Sequence, residues 1–246
     1  MEGTRDETEE HRIGYIPGMW WLVACTAGRE PVSKAPPVDT GDDVPRGDLA
    51  FAFPLADPSF FEQTIGFDHD PTVYEEGAQG VHCINYDGRG FPWCYDEHDG
   101  SDYLLEGGFD TMDAGSVEII AAAPGVVVET DDGHYDRCHA TVDGIDCDGY
   151  EMIGNHVIIQ HEGGWLTKYW HMKQDSVAVA VGDEVECGTV LGKVGSSGYS
   201  SMPHLHFEVA GADGVAFDPY AGEYSQEETW WIDQGDPEGL PAFGCP

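Results

Sequence analysis

The sequence predicts a mainly β fold with an antiparallel sheet at its core, and three observations support this. Glycine is abundant, at 33 of 246 residues, and recurs between short apolar runs as turn residues do between strands. No long stretch carries the 3.6-residue periodicity of an amphipathic helix. Hydrophobic residues make up 41% of the chain, with seven Trp, eleven Tyr and ten Phe. That is enough for one packed core, and it excludes disorder throughout.

The elements follow in chain order. Residues 1–25 begin Glu-rich, without the basic n-region that opens a secretory signal, and then run through a short apolar stretch to Cys25. Leu22-Val23-Ala24-Cys25 has the form of a bacterial lipobox, whose Cys becomes a lipidated N-terminus; the alternative is an ordinary buried Cys beside Trp20 and Trp21. Residues 26–48, with Pro31, Pro36-Pro37 and Gly41-Asp42-Asp43, read as a polar linker. Residues 49–97 are rich in aromatics, Phe51, Phe53, Phe60, Phe61, Tyr86, Trp93 and Tyr95 among them, and read as an ordered lead-in segment.

From 98 to 222 the pattern is short strands and glycine turns. Val126-Val127-Val128 lies between Pro124-Gly125 and Asp131-Asp132-Gly133. Residues 156–160 and 165–172 flank Glu162-Gly163-Gly164 as a hairpin, and 205–209 with 215–217 form a last one. Val185 and residues 190–194 run between Gly182, Gly188 and Gly195. Residues 223–246, with Trp230 and Trp231, form a tail expected to pack back onto this body. No apolar run approaches the roughly 18 residues of a membrane-spanning helix.

Charge narrows the partners. With 47 acidic and 10 basic side chains the formal net charge is −37, which repels phosphate backbones and excludes a nucleic-acid partner. The acids are spread along the chain, as suits solubility in a salty medium that screens self-repulsion. Membrane contact is expected only through a lipid on Cys25, and the chain is expected to be a monomer. Setting Cys25 aside, six of the seven cysteines remain: Cys83, Cys94, Cys138, Cys147, Cys187 and Cys245. An even set suits three disulfides in an oxidising, extracytoplasmic compartment. Cys83 with Cys94 and Cys138 with Cys147 are near enough for local loops, and Cys187 with Cys245 would tie down the C-terminus, although six cysteines allow 15 connectivities.

Two motifs have the residue types of a metal site. In Pro203-His204-Leu205-His206-Phe207-Glu208 a strand places His204 and His206 on one face and Leu205 and Phe207 on the other. In His98-Asp99-Gly100-Ser101-Asp102 the His and the second Asp fall on one side of either a helix or a strand, and Gly100 allows close backbone approach. Two imidazoles and a carboxylate make a three-ligand zinc site with an open fourth position, as hydrolysis requires. Against this, an isolated His-x-His is often a solvated strand face, and Asp-rich loops produce His-x-Gly-x-Asp by chance. Asp68-His69-Asp70 reads as a solvated acidic loop, and residues 143–149 as a disulfide-closed surface loop rather than a calcium loop.

The motifs also occur in a characteristic order. His98-x-Gly100-x-Asp102 is followed by Ala122-Ala123-Pro124-Gly125-Val126-Val127, Gly154-Asn155-His156-Val157-Ile158-Ile159 and Tyr169-x-His171. Gly182-x-x-Val185-x-x-Gly188-x-x-Leu191-Gly192 and Pro203-His204-Leu205-His206-Phe207 complete the series. From His98 to Tyr220 the chain resembles the lysostaphin-type (LytM-type) zinc metalloendopeptidases, which have the duplicated-hybrid-motif fold. The resemblance implies His98, Asp102 and His206 as ligands of one catalytic Zn2+, and His204 and His171 as the two catalytic histidines that do not bind it. It also implies a peptide bond of peptidoglycan as substrate, and a bacterial cell-envelope or secreted location. The chain departs from the pattern twice: residues 104–115 lengthen the step after Asp102, and Met202 stands where Gly is usual before Pro203. Within the lengthened step Glu106-Gly107-Gly108-Phe109-Asp110 imitates the first motif with Glu for His, and we reject it because His98 to Asp102 supplies the full residue set. The readings that compete are an inactive, peptidoglycan-binding or hydrolase-activating member of the same fold, and an acidic calcium-binding adhesion module.

Overall fold

A computed structural model describes residues 47–72, 81–237 and 239–245. Cys25 and nearly all of the 26–48 linker lie outside the described residues. The elements are β1 (Phe61–Ile65), β2 (Ser101–Leu105), α1 (Gly108–Ala114), β3 (Glu118–Ile120), β4 (Gly125–Asp131), β5 (His139–Thr141) and β6 (Gly144–Asp146). They continue with β7 (Asn155–Gln160), β8 (Leu166–Met172), β9 (Glu184–Val185), β10 (Val190–Lys193), β11 (His204–Ala210) and β12 (Ala216–Phe217). An eight-stranded sheet in the order β1-β2-β11-β8-β7-β4-β9, with β12 beside β11, dominates the molecule. Every pairing within it is antiparallel.

Period-two alternation decides which face is the core. On β11, Leu205 lies opposite Tyr103 of β2, and Phe207 opposite Tyr169 of β8. All four are essentially inaccessible to solvent. Val157, Ile159 and Val127 continue this buried layer across β7 and β4. The same alternation sends His204, His206 and Glu208 to the opposite face.

The lead-in segment and the tail cover the core face together. Phe51, Phe53 and Leu55 are fully buried. The Phe51 amide donates to the Trp230 carbonyl at 2.7 Å, and the Ile232 amide donates to the Phe51 carbonyl at 2.9 Å. The Phe51 ring meets Phe207 edge-on at 6.2 Å and Trp231 at 6.3 Å, and Phe53 meets Tyr103 at 4.8 Å. Disulfides join Cys83 to Cys94, Cys138 to Cys147 and Cys187 to Cys245. Such bonds form in an oxidising compartment. Among the described residues no helix is long and apolar enough to cross a membrane.

Two expectations need comment. Asp68 is not in a solvated loop: it is 2% exposed. Its carboxylate accepts hydrogen bonds from the amides of Asp70 (2.8 Å), Ile84 (3.2 Å) and Glu97 (2.9 Å). Backbone donors supply what water would otherwise give a buried charge. The lengthened step after Asp102 is occupied by the end of β2 and by α1. There Glu106 and Asp110 are exposed, Asp110 lying in the first turn of the helix, where an acid opposes the dipole favourably.

Trp231→Ala is expected to lower unfolding free energy by about 3–5 kcal/mol, read as a reduced urea midpoint, because its ring is buried against Phe207 and Tyr220. His161 provides a pH test. Its Nδ1 donates to the Pro124 carbonyl at 2.7 Å, and burial, only partly opposed by that bond, holds the imidazole below its ordinary value. The unfolded chain therefore takes up a proton that the folded state resists, so stability is retained above about pH 6.5 and lost as pH falls below it. The urea midpoint should fall between about pH 7 and pH 5, and fall less in His161→Gln; equal falls would contradict this assignment.

Candidate active site

The candidate site is built on the face of the sheet opposite the core. β2 contributes Asp102, β11 contributes His204 and His206, β8 contributes His171, and the loop entering β2 contributes His98. Asp102 lies directly across from His206 in the β2·β11 register, so the two side chains share a face as cross-strand neighbours. The structure thus brings together all five residues singled out as ligands or catalytic histidines.

The ligand geometry starts at His98. Its Nδ1 donates to the Gly66 carbonyl at 2.7 Å, which leaves Nε2 with a free lone pair. That Nε2 lies 3.2 Å from Asp102 Oδ1 and 3.2 Å from His206 Nδ1, and His206 Nδ1 lies 2.8 Å from the same Oδ1. Tetrahedral ligands on bonds of about 2.0–2.1 Å stand roughly 3.3 Å apart. Two imidazole nitrogens and a carboxylate oxygen therefore have the spacing and chemistry of three zinc ligands, and the residues fit the ion.

Neighbouring groups hold the ligands in place. Tyr95 stacks on His98 with ring centroids 4.2 Å apart and donates its hydroxyl to Asp102 Oδ2 at 3.3 Å. Asp99 Oδ1 lies 3.5 Å from His206 Nε2. Gly100 permits the close approach expected of it: a Cβ there would lie 2.8 Å from the His206 ring and 2.7 Å from the Phe207 carbonyl oxygen. Gly66 and Tyr95 were not singled out by sequence. Their only signals were the aromatic content of the lead-in and its position just ahead of His98.

His171 arrives by a different route. Asn155 pairs with Met172 and Val157 with Tyr169, so two steps on β7 match three on β8. The extra residue makes a β-bulge at Trp170-His171, and His171 takes a left-handed φ of 61°. Tyr169 and Met172 both stay fully buried, while the His171 ring comes within 4.6 Å of His204 and 6.0 Å of His206. His171 Nδ1 donates to the Ser197 carbonyl at 2.7 Å and His204 Nδ1 to the Met202 carbonyl at 2.7 Å. Each ring therefore presents Nε2 as its acceptor atom.

The loop before His204 is braced from outside by the β5·β6 hairpin with its Cys138–Cys147 disulfide. The amides of Cys138 and Ala140 donate to the carbonyls of Ser196 and Ser201 at 3.0 and 3.1 Å.

Burial and charge set the protonation states. Burial lowers His171 well below its ordinary value, and the neighbouring His204 and His206 lower it further. Burial also lowers His204, against the pull of Asp102. Burial alone would raise Asp102, but His98, His204 and His206 hold it well below the usual carboxylate range. For His206, burial is outweighed by the Asp102 hydrogen bond and charge, with Asp99 and Glu208 adding to them, and the imidazole is pushed up to about 9.

Comparison with known proteins bears on this geometry. Residues 104–219 match the profile of the family described as Peptidase family M23; the match takes in His171, His204 and His206 and begins just beyond Asp102. The peptidoglycan DD-endopeptidase ShyC of Vibrio cholerae is 32% identical over 79 residues, which are 32% of this chain and 18% of that protein. The glycyl-glycine endopeptidase ALE-1 of Staphylococcus capitis is 39% identical over 56 residues, 22% of this chain and 15% of that protein. The chain thus spans less than a fifth of the length of these curated relatives. Among solved structures, a mutant catalytic domain of the prophage-encoded M23 protein EnpA from Enterococcus faecalis aligns over 69% of this chain and 95% of its own, with 24% identity and a TM-score of 0.43. Residues 104–219, a little under half of the chain, thus carry the pattern of peptidase family M23, and part of the chain is similar to lysostaphin of Staphylococcus simulans and to ALE-1.

Proposed function

We propose that this chain is a zinc-dependent endopeptidase that hydrolyses peptide bonds in the cross-links or stem peptides of peptidoglycan, acting outside the cytoplasm. The observation that carries the reading is the convergence of His98 Nε2, Asp102 Oδ1 and His206 Nδ1, each within 3.2 Å of the other two, beside the rings of His171 and His204. The endopeptidase relatives support the substrate class. A lipid on Cys25 would hold the protein at the envelope, and we propose that it works as a monomer.

His98, Asp102 and His206 would hold the ion, which would supply Lewis acidity toward a scissile carbonyl and toward water. The remaining residues of the site handle protons. We assign His204 to take the proton of the attacking water at Nε2, which lies 3.6 Å from Asp102 Oδ1; that carboxylate stabilises the imidazolium as it forms. The same proton is then available to the leaving amine. His171, packed against His204, has its ring fixed by the bonded Nδ1 so that Nε2 is left as an acceptor, and we assign it to accept a hydrogen bond from the attacking water and so orient it. The Lys168–Glu208 ion pair lies next along β8 and β11, and Glu208 is held above its ordinary value mainly by burial. Met202, at the turn into β11, orients His204 through its carbonyl, which accepts from Nδ1 at 2.7 Å.

Digestion of purified peptidoglycan by the protein, followed by mass spectrometry of the released fragments, tests the reading and names the bond. Peptide-bond cleavage should fall at least about 100-fold with a zinc chelator or with His206→Ala. Folded, zinc-loaded protein that binds the polymer and releases nothing would instead favour the non-catalytic, hydrolase-activating reading. Gly100→Ala should weaken zinc binding about 10- to 100-fold in a competition titration, because the added methyl displaces His206. Unchanged zinc affinity would show that the loop does not position the ligand.

A further inference from the structure

We propose that Trp170 forms the wall that limits the size of the substrate residue accepted beside the metal centre, an inference that rests on the peptidase reading above. Register places Trp170 directly across from His206, as Asp102 lies across from it on the other side. Asp102, His206 and Trp170 thus form one row on the same face of the sheet. The bulge that delivers His171 also keeps Trp170 on this face, since Tyr169 before it and Met172 after it are both in the core.

The indole is held from behind. His156 packs on it with ring centroids 4.2 Å apart, and His156 is itself anchored by the Gly154 carbonyl at 3.0 Å and by Glu129 at 3.2 Å. A Cβ at Gly154 would lie 3.3 Å from Trp170 Cε3, so the backbone also presses against the ring. His156 and Gly154 thus back the indole on the side away from His206, and part of its surface remains open to solvent. A large, rigid ring in this position takes up the space that a substrate side chain next to the scissile bond would need. Glycine or alanine fits against such a wall, whereas branched or aromatic side chains meet the indole.

The test uses peptides built on the bond identified by the peptidoglycan digest, with Gly, Ala, Val or Phe placed on either side of it. The readout is the ratio of kcat/KM values within the series, for the wild-type protein and for Trp170→Ala, Trp170→Leu and Trp170→Phe, whatever the absolute rates. Wild type should prefer Gly over Val by about 10- to 100-fold on one side of the bond. Trp170→Ala and Trp170→Leu should bring that ratio close to one, with Trp170→Phe in between. The same Gly-to-Val ratio in folded, zinc-loaded Ala or Leu variants would overturn the proposal and leave the peptidase reading intact. Failure of the wild-type protein to cut any peptide or peptidoglycan would remove that reading and this inference with it.

Discussion

Antiparallel pairing of β2 with β11 sets Asp102 opposite His206, and most features of the site depend on that register. A shift of one residue would turn Asp102 toward the core and bring Tyr103 out in its place. Tyr103 and Leu205 resist this because they are buried on the far side of the same two strands. The core therefore fixes the register of the candidate metal ligands from the opposite face of the sheet. The lead-in segment strengthens the arrangement by adding β1 beside β2 and by supplying the Gly66 carbonyl that orients His98.

The second constraint is electrostatic. Asp102 is a buried carboxylate, which is costly unless its charge is met by partners. Here His98, His204 and His206 surround it and Tyr95 donates a hydroxyl. One acid thus polarises several imidazoles, while desolvation and the neighbouring His204 and His206 hold His171 well below its ordinary value. The very acidic composition is not what builds this site. Asp102 acts through burial among histidines, and Asp68 likewise through burial among backbone amides.

Much of this was legible in the sequence where local periodicity governs. His204 and His206 share a face because strands have a period of two, and the hairpin around Glu162-Gly163-Gly164 follows from its turn residues. The Cys83–Cys94 and Cys138–Cys147 disulfides follow their short spacings, whereas Cys187–Cys245, 58 residues apart, is the pair those two leave and no spacing singles it out. What escaped was non-local or broke the period. Strict alternation would put His171 on the same face as Tyr169, in the core, and only the bulge on β8 turns it out. α1 is too short to show a periodic pattern, and its glycines imitated a motif instead. The support given by Gly66 and Tyr95 depends on tertiary contacts that no spacing reveals.

The central claim is that one zinc ion is held by His98, Asp102 and His206. Anomalous diffraction at the zinc edge from crystals of the zinc-loaded protein tests it most directly. A single strong peak is expected about 2.0–2.2 Å from His98 Nε2, Asp102 Oδ1 and His206 Nδ1. A peak beside Glu106 and Asp110, or between Asp99 and Glu208, would contradict the assignment, as would the absence of any peak at the three ligands.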